Sequence, residues 1–156
     1  MTAYAAQTEV PADRSRGEIE RTVTRFGARS FAYGWEGSTA VIGFELGDRQ
    51  YRFALPLPDP NAREFRVSDT GRQRTDKARE VAHAQAVRQR WRALALIVKA
   101  KFAAVEAGIS TVEIEFMANT VLPDGRTVGE HTLPAIAKAY ADNTVPSMLA
   151  LPAGGN

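Results

Sequence analysis

Hydrophobic and polar residues alternate with a period of two in three consecutive segments in the first half of the chain. The apolar positions are Phe31, Tyr33 and Trp35, then Ile42, Phe44 and Leu46, then Tyr51, Phe53 and Leu55. Two tight turn signals, Glu36-Gly37-Ser38 and Gly47-Asp48, separate the segments. Segments of this kind joined by short turns predict a three-stranded antiparallel meander with one buried face.

A helical period of three to four residues flanks the meander on both sides. Before it, Ser15 and Glu18 have the spacing of a capping box, which predicts a short helix that begins at Ser15 and ends at Gly27. After it, a long helix is predicted to begin near Thr75 and to end at Gly108. Its core stripe comprises Ala84, Val87, Trp91, Leu94, Val98, Phe102 and Val105.

The face of the long helix opposite this stripe is also apolar. Its residues are Ala86, Ala93, Leu96, Ile97, Ala100 and Ala104. A helix that is apolar on two opposite faces needs two partners. The meander is one partner, and the second is either the C-terminal segment or another subunit.

Proline and polar residues mark the boundaries of these elements. Pro56, Pro58 and Pro60 end the third strand, because proline cannot donate to a ladder. The polar segment 61–76 predicts a mobile basic loop. Residues 1–14 lack a periodic pattern and predict a flexible leader.

The segment 111–121 fits two structures. Val112, Ile114 and Phe116 alternate as a strand would, whereas Thr111 can cap a short helix. The local cap favours the helix.

A last short helix is predicted over roughly Leu133–Ala141. Thr127 and Glu130 form a second capping box ahead of it, and Pro134 is tolerable only in its first turn. The following residues 145–152 are apolar and predict an extended end that could dock on a groove.

Together these elements predict an α+β fold in a single domain over residues 15–150. The order is a short N-terminal helix, a three-stranded antiparallel meander, a long central helix and short C-terminal helices. Residues 151–156 predict a flexible tail.

Composition excludes several classes of protein. The chain has no cysteine, which rules out disulfides and thiolate sites. No apolar run approaches the ~20 residues that cross a bilayer, and the N-terminus has no signal-peptide pattern. The expected location is the cytoplasm.

Positive charge is concentrated in the middle of the chain. The net charge is only +2, but Arg14 to Lys101 contain 18 Lys and Arg against 10 Asp and Glu. Segregated basic charge favours an acidic partner, and nucleic acid is the first candidate. A basic face that is only solvated and binds no partner explains the charge equally well. The candidate nucleic-acid-binding residues lie in the loop and on one flank of the long helix: Arg63, Arg66, Arg72, Arg74, Arg88, Arg92 and Lys99.

Aromatic side chains that could stack on bases are present. They are Tyr33, Trp35, Tyr51 and Trp91. The hydrophobic pattern predicts that most of them are buried, and Trp91 lies at the centre of the core stripe. The charge therefore supports nucleic-acid binding, whereas the aromatic residues do not.

Catalytic and cofactor motifs are not indicated. His83 and His131 stand on separate elements without metal-ligand spacing, which is typical of structural histidines. No phosphate loop, dinucleotide fingerprint or nucleophile elbow occurs, so no cofactor and no metal site is predicted. One enzymatic hypothesis stays open, an acidic site for a divalent metal formed by Glu113, Glu115, Asp124 and Glu130.

Several stretches taken together resemble a group of small uncharacterised proteins encoded by phages and prophages. These stretches are 31–37 with 52–58, 89–101 with 105–108, and 121–129, and the resemblance covers about residues 19–149. It implies a phage-like origin, a bacterial host cytoplasm and a role in DNA metabolism or host takeover. It implies no cofactor and no site residues. The order of meander and long helix also resembles the core of single-strand annealing proteins, at the level of architecture alone.

The leading hypothesis from the sequence is a non-catalytic phage-type accessory protein. It would bind nucleic acid, single-stranded and without sequence preference, in recombination or replication. The alternative is a protein-interaction module that acts on a host or phage partner as an inhibitor or adaptor, or forms homo-oligomers, through the long helix.

Overall fold

The elements of this computed structural model follow the predicted order, and the α+β fold class is confirmed. The structure describes residues 2–145, with side chains from Ala12 onward. The helices are α1 (Thr2–Arg25), α2 (Arg63–Arg66), α3 (Asp76–Glu106), α4 (Val112–Glu115) and α5 (Val128–Asp142), with a 3-10 turn at Met117–Asn119. The strands are β1 (Ser30–Glu36), β2 (Thr39–Leu46) and β3 (Arg49–Pro56).

Two sequence predictions fall largely or wholly outside the described residues. They are the apolar C-terminal end at 145–152, of which only Val145 is described, and the tail at 151–156. Within the described range, no helix combines the length and the hydropathy that a membrane crossing requires.

The three strands form an antiparallel sheet in the order β1-β2-β3. Phe44 lies opposite Phe31 of β1 and Tyr51 of β3, so the apolar positions share one face. On β2 and β3 this face is buried, as the alternation predicted: Ala40, Ile42, Phe44, Tyr51 and Phe53. Gly47 adopts a φ of +65°, which the first position of the two-residue turn between β2 and β3 requires.

The aromatic face of β1 is less buried than predicted. Tyr33 and Trp35 are each 44% exposed, although Phe31 is half-buried against the core. The reason is that β1 is an edge strand which the helices cover only in part. Alternation reports which side chains share a face, but not how far the next layer extends over it.

Helix α1 is longer than predicted. It begins at Thr2 and passes through Ser15, so the predicted start at Ser15 is wrong, whereas the flexibility of residues 1–14 stays a prediction. The buried stripe of α1 already includes Ala12 and continues through Ile19 and Val23. Because this stripe packs on α3, tertiary contact overrides the local capping signal at Ser15.

Helices α1 and α3 lie side by side in the same direction. Lys99 Nζ is 3.4 Å from a carboxylate oxygen of Glu18, and Arg25 Nη2 is 3.1 Å from one of Glu106. Both pairs join residues that are 81 positions apart. A constant separation of this kind requires parallel helices, which together cover the apolar face of the sheet.

The segment 61–76 is not the structureless loop that its composition predicted. It contains α2, and Val67 and Gln73 form an antiparallel bridge. Phe65 is buried against the ring of His83, whose Nε2 lies 2.8 Å from the carbonyl oxygen of Pro58. A single buried aromatic residue therefore fixes a segment that is otherwise polar.

The bounds of α3 agree with the sequence prediction. The Thr75 side chain accepts a hydrogen bond from the Ala78 N–H, and Gly108 adopts a φ of +73° just beyond the helix. Of the predicted core stripe, Val87, Trp91, Leu94, Val98 and Phe102 are buried, whereas Ala84 and Val105 are only half-buried. On the opposite face, Leu96 is 58% and Ile97 48% exposed, so the described C-terminal helices do not cover it.

The segment after α3 is helical, as its caps favoured. Thr111 caps α4 by accepting from the Ile114 N–H, and Phe116 at its end is fully buried. Phe116 packs against four aromatic rings of the sheet and α3: Phe44, Tyr51, Phe53 and Phe102. Thr120 then pairs with Tyr51 along the outer edge of β3.

Helix α5 begins earlier than predicted and contains a proline beyond its first turn. The capping box of Thr127 and Glu130 is formed, so the helix starts at Val128 and Pro134 lies in its interior. An interior proline leaves the carbonyl four residues earlier without its helical donor. Here that carbonyl belongs to Glu130 and accepts from the Arg126 guanidinium at 3.2 Å, which compensates for the missing bond.

Glu130→Gln is expected to destabilise the protein at neutral pH but much less in acid. The backbone N–H of Thr127 and the nearby Arg52 guanidinium hold the pKa of Glu130 below its ordinary value. A lowered folded-state pKa means that the stabilisation is present above the unfolded-state pKa of about 4.3 and is lost as pH falls through the folded value. Urea unfolding at several pH values would measure this.

The matched control for this prediction is Glu80→Gln. Glu80 is exposed on α3 and forms no ion pair within the described part of the chain. Its substitution should leave the urea midpoint unchanged at every pH. Equal, pH-independent effects of the two substitutions would contradict the assignment of Glu130.

Candidate nucleic-acid interface

A groove runs along the solvent side of the contact between α1 and α3. We call it the α1–α3 groove. Its cleft has a volume of about 600 Å³ and is lined by Arg14, Ser15, Glu18, Gln85, Arg88, Gln89, Arg92, Leu96 and Lys99. The cations on α3 recur at helical spacing, which places them on one flank of the helix.

Two further clefts continue the groove at its ends. One of about 530 Å³ shares Glu18 and Lys99 with it and adds Arg21 and Arg25. The other, of about 430 Å³, shares Gln85 and adds Arg74 and Lys77 at the N-terminal end of α3. The three clefts therefore form one track along the length of α3.

Positive charge predominates in this track. Eight cationic side chains and two carboxylates line it. Glu18 pairs with Arg14 and Lys99, and Glu106 pairs with Arg25. Within the described part of the chain, the other five cations have no ion pair: Arg21, Arg74, Lys77, Arg88 and Arg92. Such a surface attracts a polyanion.

Of the seven nucleic-acid-binding residues that the sequence predicted, four line this track and three do not. Arg88, Arg92 and Lys99 share one flank, as predicted, and Arg74 joins the same track. Arg63, Arg66 and Arg72 are exposed on or beside α2 but line none of the three clefts.

Four other cations of the track were not among the predicted residues. Arg14, Arg21 and Arg25 lie on α1, and Lys77 lies in the first turn of α3. The spacing of the three arginines, seven and four residues, is a one-face helical pattern that is visible in the sequence. Their proximity to α3 is not visible there, because it depends on how the two helices pack.

The candidate stacking residues lie away from this track. Tyr51 and Trp91 are buried, as predicted, and neither could stack on a base. Tyr33 and Trp35 are exposed, but Tyr33 contacts Arg16, which points to the other side of α1 from Arg14. Phe26 is the aromatic residue of the track, and its ring is stacked on Phe102 in the core.

The four carboxylates of the metal-site hypothesis do not meet. Each lies beside a different basic side chain: Glu113 by Arg49, Glu115 by Lys101, Asp124 by His131 and Glu130 by Arg52. Among the residues whose side chains are described, no three acidic or histidine side chains form a group that could hold a metal ion.

An exposed Asp–His pair is a feature that the sequence did not suggest. His131 Nε2 lies 2.6 Å from Asp124 Oδ2. The Arg126 N–H and the His131 ring hold the pKa of Asp124 below its ordinary value. The pair links the 122–125 turn to the first turn of α5, so its geometry fits a structural contact.

Comparison with other proteins adds nothing to this geometry. No protein-family model, no curated protein and no solved structure matches the chain. The resemblance to phage proteins stays a prediction.

Proposed function

We propose that this protein binds nucleic acid without sequence preference, through the α1–α3 groove and its two adjoining clefts. The observation that carries the proposal is the set of cations along α3. Among the described residues, Arg88 and Arg92 of this set have no acidic side chain within ion-pair distance. Lys and Arg side chains neutralise phosphates and release counterions, which provides affinity for any sequence. The role as an accessory protein of phage recombination or replication is part of the same proposal.

The dimensions of the track suit a polymer rather than a small anion. Helix α3 has 31 residues, which corresponds to a length of roughly 45 Å. At 3.4 Å per base pair, such a track spans roughly 13 base pairs of duplex. Affinity should therefore rise with oligonucleotide length up to about this size and change little beyond it.

Contacts in this track would be to phosphates. Base stacking requires exposed rings, and the ring of Phe26 is engaged with Phe102. The sequence-based preference for single strands therefore has less support than backbone binding itself. Titrations with single-stranded and double-stranded forms of one oligonucleotide would separate the two.

Fluorescence anisotropy with a labelled oligonucleotide of about 20 nucleotides tests the proposal. We expect micromolar or tighter binding at ~50 mM salt and a steep linear fall of log affinity with log salt concentration. Failure to bind either form at ~50 mM salt, at protein concentrations up to ~100 µM, would overturn it.

A protein-interaction module is the second candidate function. It is supported by the exposed apolar back of α3, where Leu96 and Ile97 are about half-exposed. It predicts a defined partner that binds the natural chain but not an Ile97→Lys variant. Surface plasmon resonance with a purified candidate partner would measure this, and equal binding of both forms would exclude this face.

A further inference from the structure

The two outer edges of the sheet differ in whether their outward backbone N–H and C=O groups have hydrogen-bond partners. On β3, three outward carbonyls accept hydrogen bonds. Gln50 accepts from the Val121 N–H, Arg52 from the Asn119 side chain and Pro56 from Arg90. The outer edge of β3 is thus covered by the 3-10 segment and α3.

The outer edge of β1 has no such cover. The hairpin between β1 and β2 has the two-residue turn Gly37-Ser38, so its closing pair, Glu36 and Thr39, exchanges both ladder hydrogen bonds. Pairing alternates along the strand, which directs the backbone N–H and C=O of Phe31, Tyr33 and Trp35 away from β2. Among residues 12–145, nothing forms a hydrogen bond with these outward groups.

Strand β1 also lacks the features that usually protect an edge. It contains no proline, no lysine and no bulge, and its only charged residue is Glu36 at the end. Unprotected edges with apolar faces pair readily with another strand. The Arg16 guanidinium lies 3.8 Å from the centre of the Tyr33 ring, which holds this side chain in place beside the edge.

We propose that β1 pairs with β1 of a second copy of this chain, antiparallel and two-fold symmetric, with Tyr33 opposite Tyr33. This register is self-complementary. Phe31 meets Trp35 of the second copy, and aromatic cross-strand pairs stabilise sheets. Ser30 lies opposite Glu36 of the second copy at both ends, so no like charges face each other in this register.

The dimer leaves the nucleic-acid track accessible. Arg16, which contacts β1 through Tyr33, and Arg14, which lines the α1–α3 groove, are two residues apart and point to roughly opposite sides of α1. Self-association and nucleic-acid binding are therefore independent, and either can fail without the other.

Sedimentation equilibrium of the full chain without nucleic acid is the first test. We expect a concentration-dependent dimer between about 1 and 100 µM. A monomer over the whole range would overturn the proposal, and a strand of another protein would then be the occupant of this edge.

Cysteine crosslinking tests the register. The chain has no cysteine, so any crosslink must come from the introduced cysteines. In the proposed pairing Ala32 faces Gly34 of the second copy, at a Cα–Cα distance of about 4.5 Å that a disulfide can bridge. Ala32 is exposed, and a Cβ at Gly34 would meet nothing within 4 Å, so both sites accept the substitution.

A mixture of Ala32→Cys and Gly34→Cys chains should form a covalent heterodimer under mild oxidation. Each variant alone should crosslink at least ~5-fold more slowly, because identical positions are then farther apart than the ~7 Å that a disulfide can span. Equal rates for the mixture and for the single variants, or no crosslink in a mixture that still sediments as a dimer, would overturn the register. Unchanged urea midpoints of both variants would show that they are folded.

Discussion

Phe116→Ala should destabilise the protein by about 3–5 kcal/mol, the usual cost of removing a large aromatic residue from a core. The Phe116 side chain is fully buried, and its ring centroid lies 4.9 Å from that of Phe102 on α3. It also contacts Phe44 of β2 and Tyr51 of β3. Because one ring joins the C-terminal segment to both layers, its loss leaves a cavity that no single element can close. Urea unfolding with an unchanged m-value would measure the effect.

The neighbouring residue provides the control for this prediction. Met117 is 55% exposed, and Met117→Ala should change the free energy of unfolding by less than about 0.5 kcal/mol. Similar small effects of both substitutions would mean that the 112–121 segment is not anchored in the core. A thermal melt would give the same ranking, at roughly 2–4 °C per kcal/mol for a domain of this size.

Arg88→Gln with Arg92→Gln should weaken nucleic-acid binding by about 100-fold at ~0.1 M salt. Each phosphate contact contributes close to tenfold under these conditions relative to 1 M salt, and the double variant removes two. The slope of log affinity against log salt should become less steep by about 2. Both side chains are exposed in the α1–α3 groove, so the fold should be retained.

A second double variant tests whether nucleic acid binds in the α1–α3 groove or is attracted by the net positive charge of the whole protein. Arg63→Gln with Arg66→Gln removes the same number of charges from α2, outside the three clefts. We expect affinity to fall by less than about threefold and the salt slope to stay the same, because these side chains would make no phosphate contact. Equal losses in the two double variants would show that binding follows net charge and not the groove.

The parts of the fold that were predictable depend on short-range patterns. The turns at Gly37 and Gly47 and the alternation between them predict the meander, and Thr75 predicts the start of α3. Each depends on residues within a few positions of one another. The start of α1 was not predictable in this way, because the signal at Ser15 is outweighed by the packing of Ala12 on a distant helix.

The candidate site shows the same limit. Arg88, Arg92 and Lys99 belong to one helix, so their common flank follows from the helical period. Arg14 joins them only because α1 and α3 are adjacent. The polar composition of residues 61–76 predicted a loop without structure, and this was wrong because one buried residue, Phe65, orders the segment. Exposure of Tyr33 depends on the width of the helical layer, which alternation does not report.

The parallel arrangement of α1 and α3 has a consequence for synthesis and folding. The contacts between these helices join residues 81 positions apart, whereas those of the meander are local. Contacts of high sequence separation carry the cost of closing a long loop and form late. On the ribosome, α1 emerges first, yet its partner residues up to Glu106 are among the last of the core to appear. Until then, the side of Ile19 and Val23 that packs on α3 has no native surface to cover it, and it is open to a chaperone or to a neighbouring nascent chain.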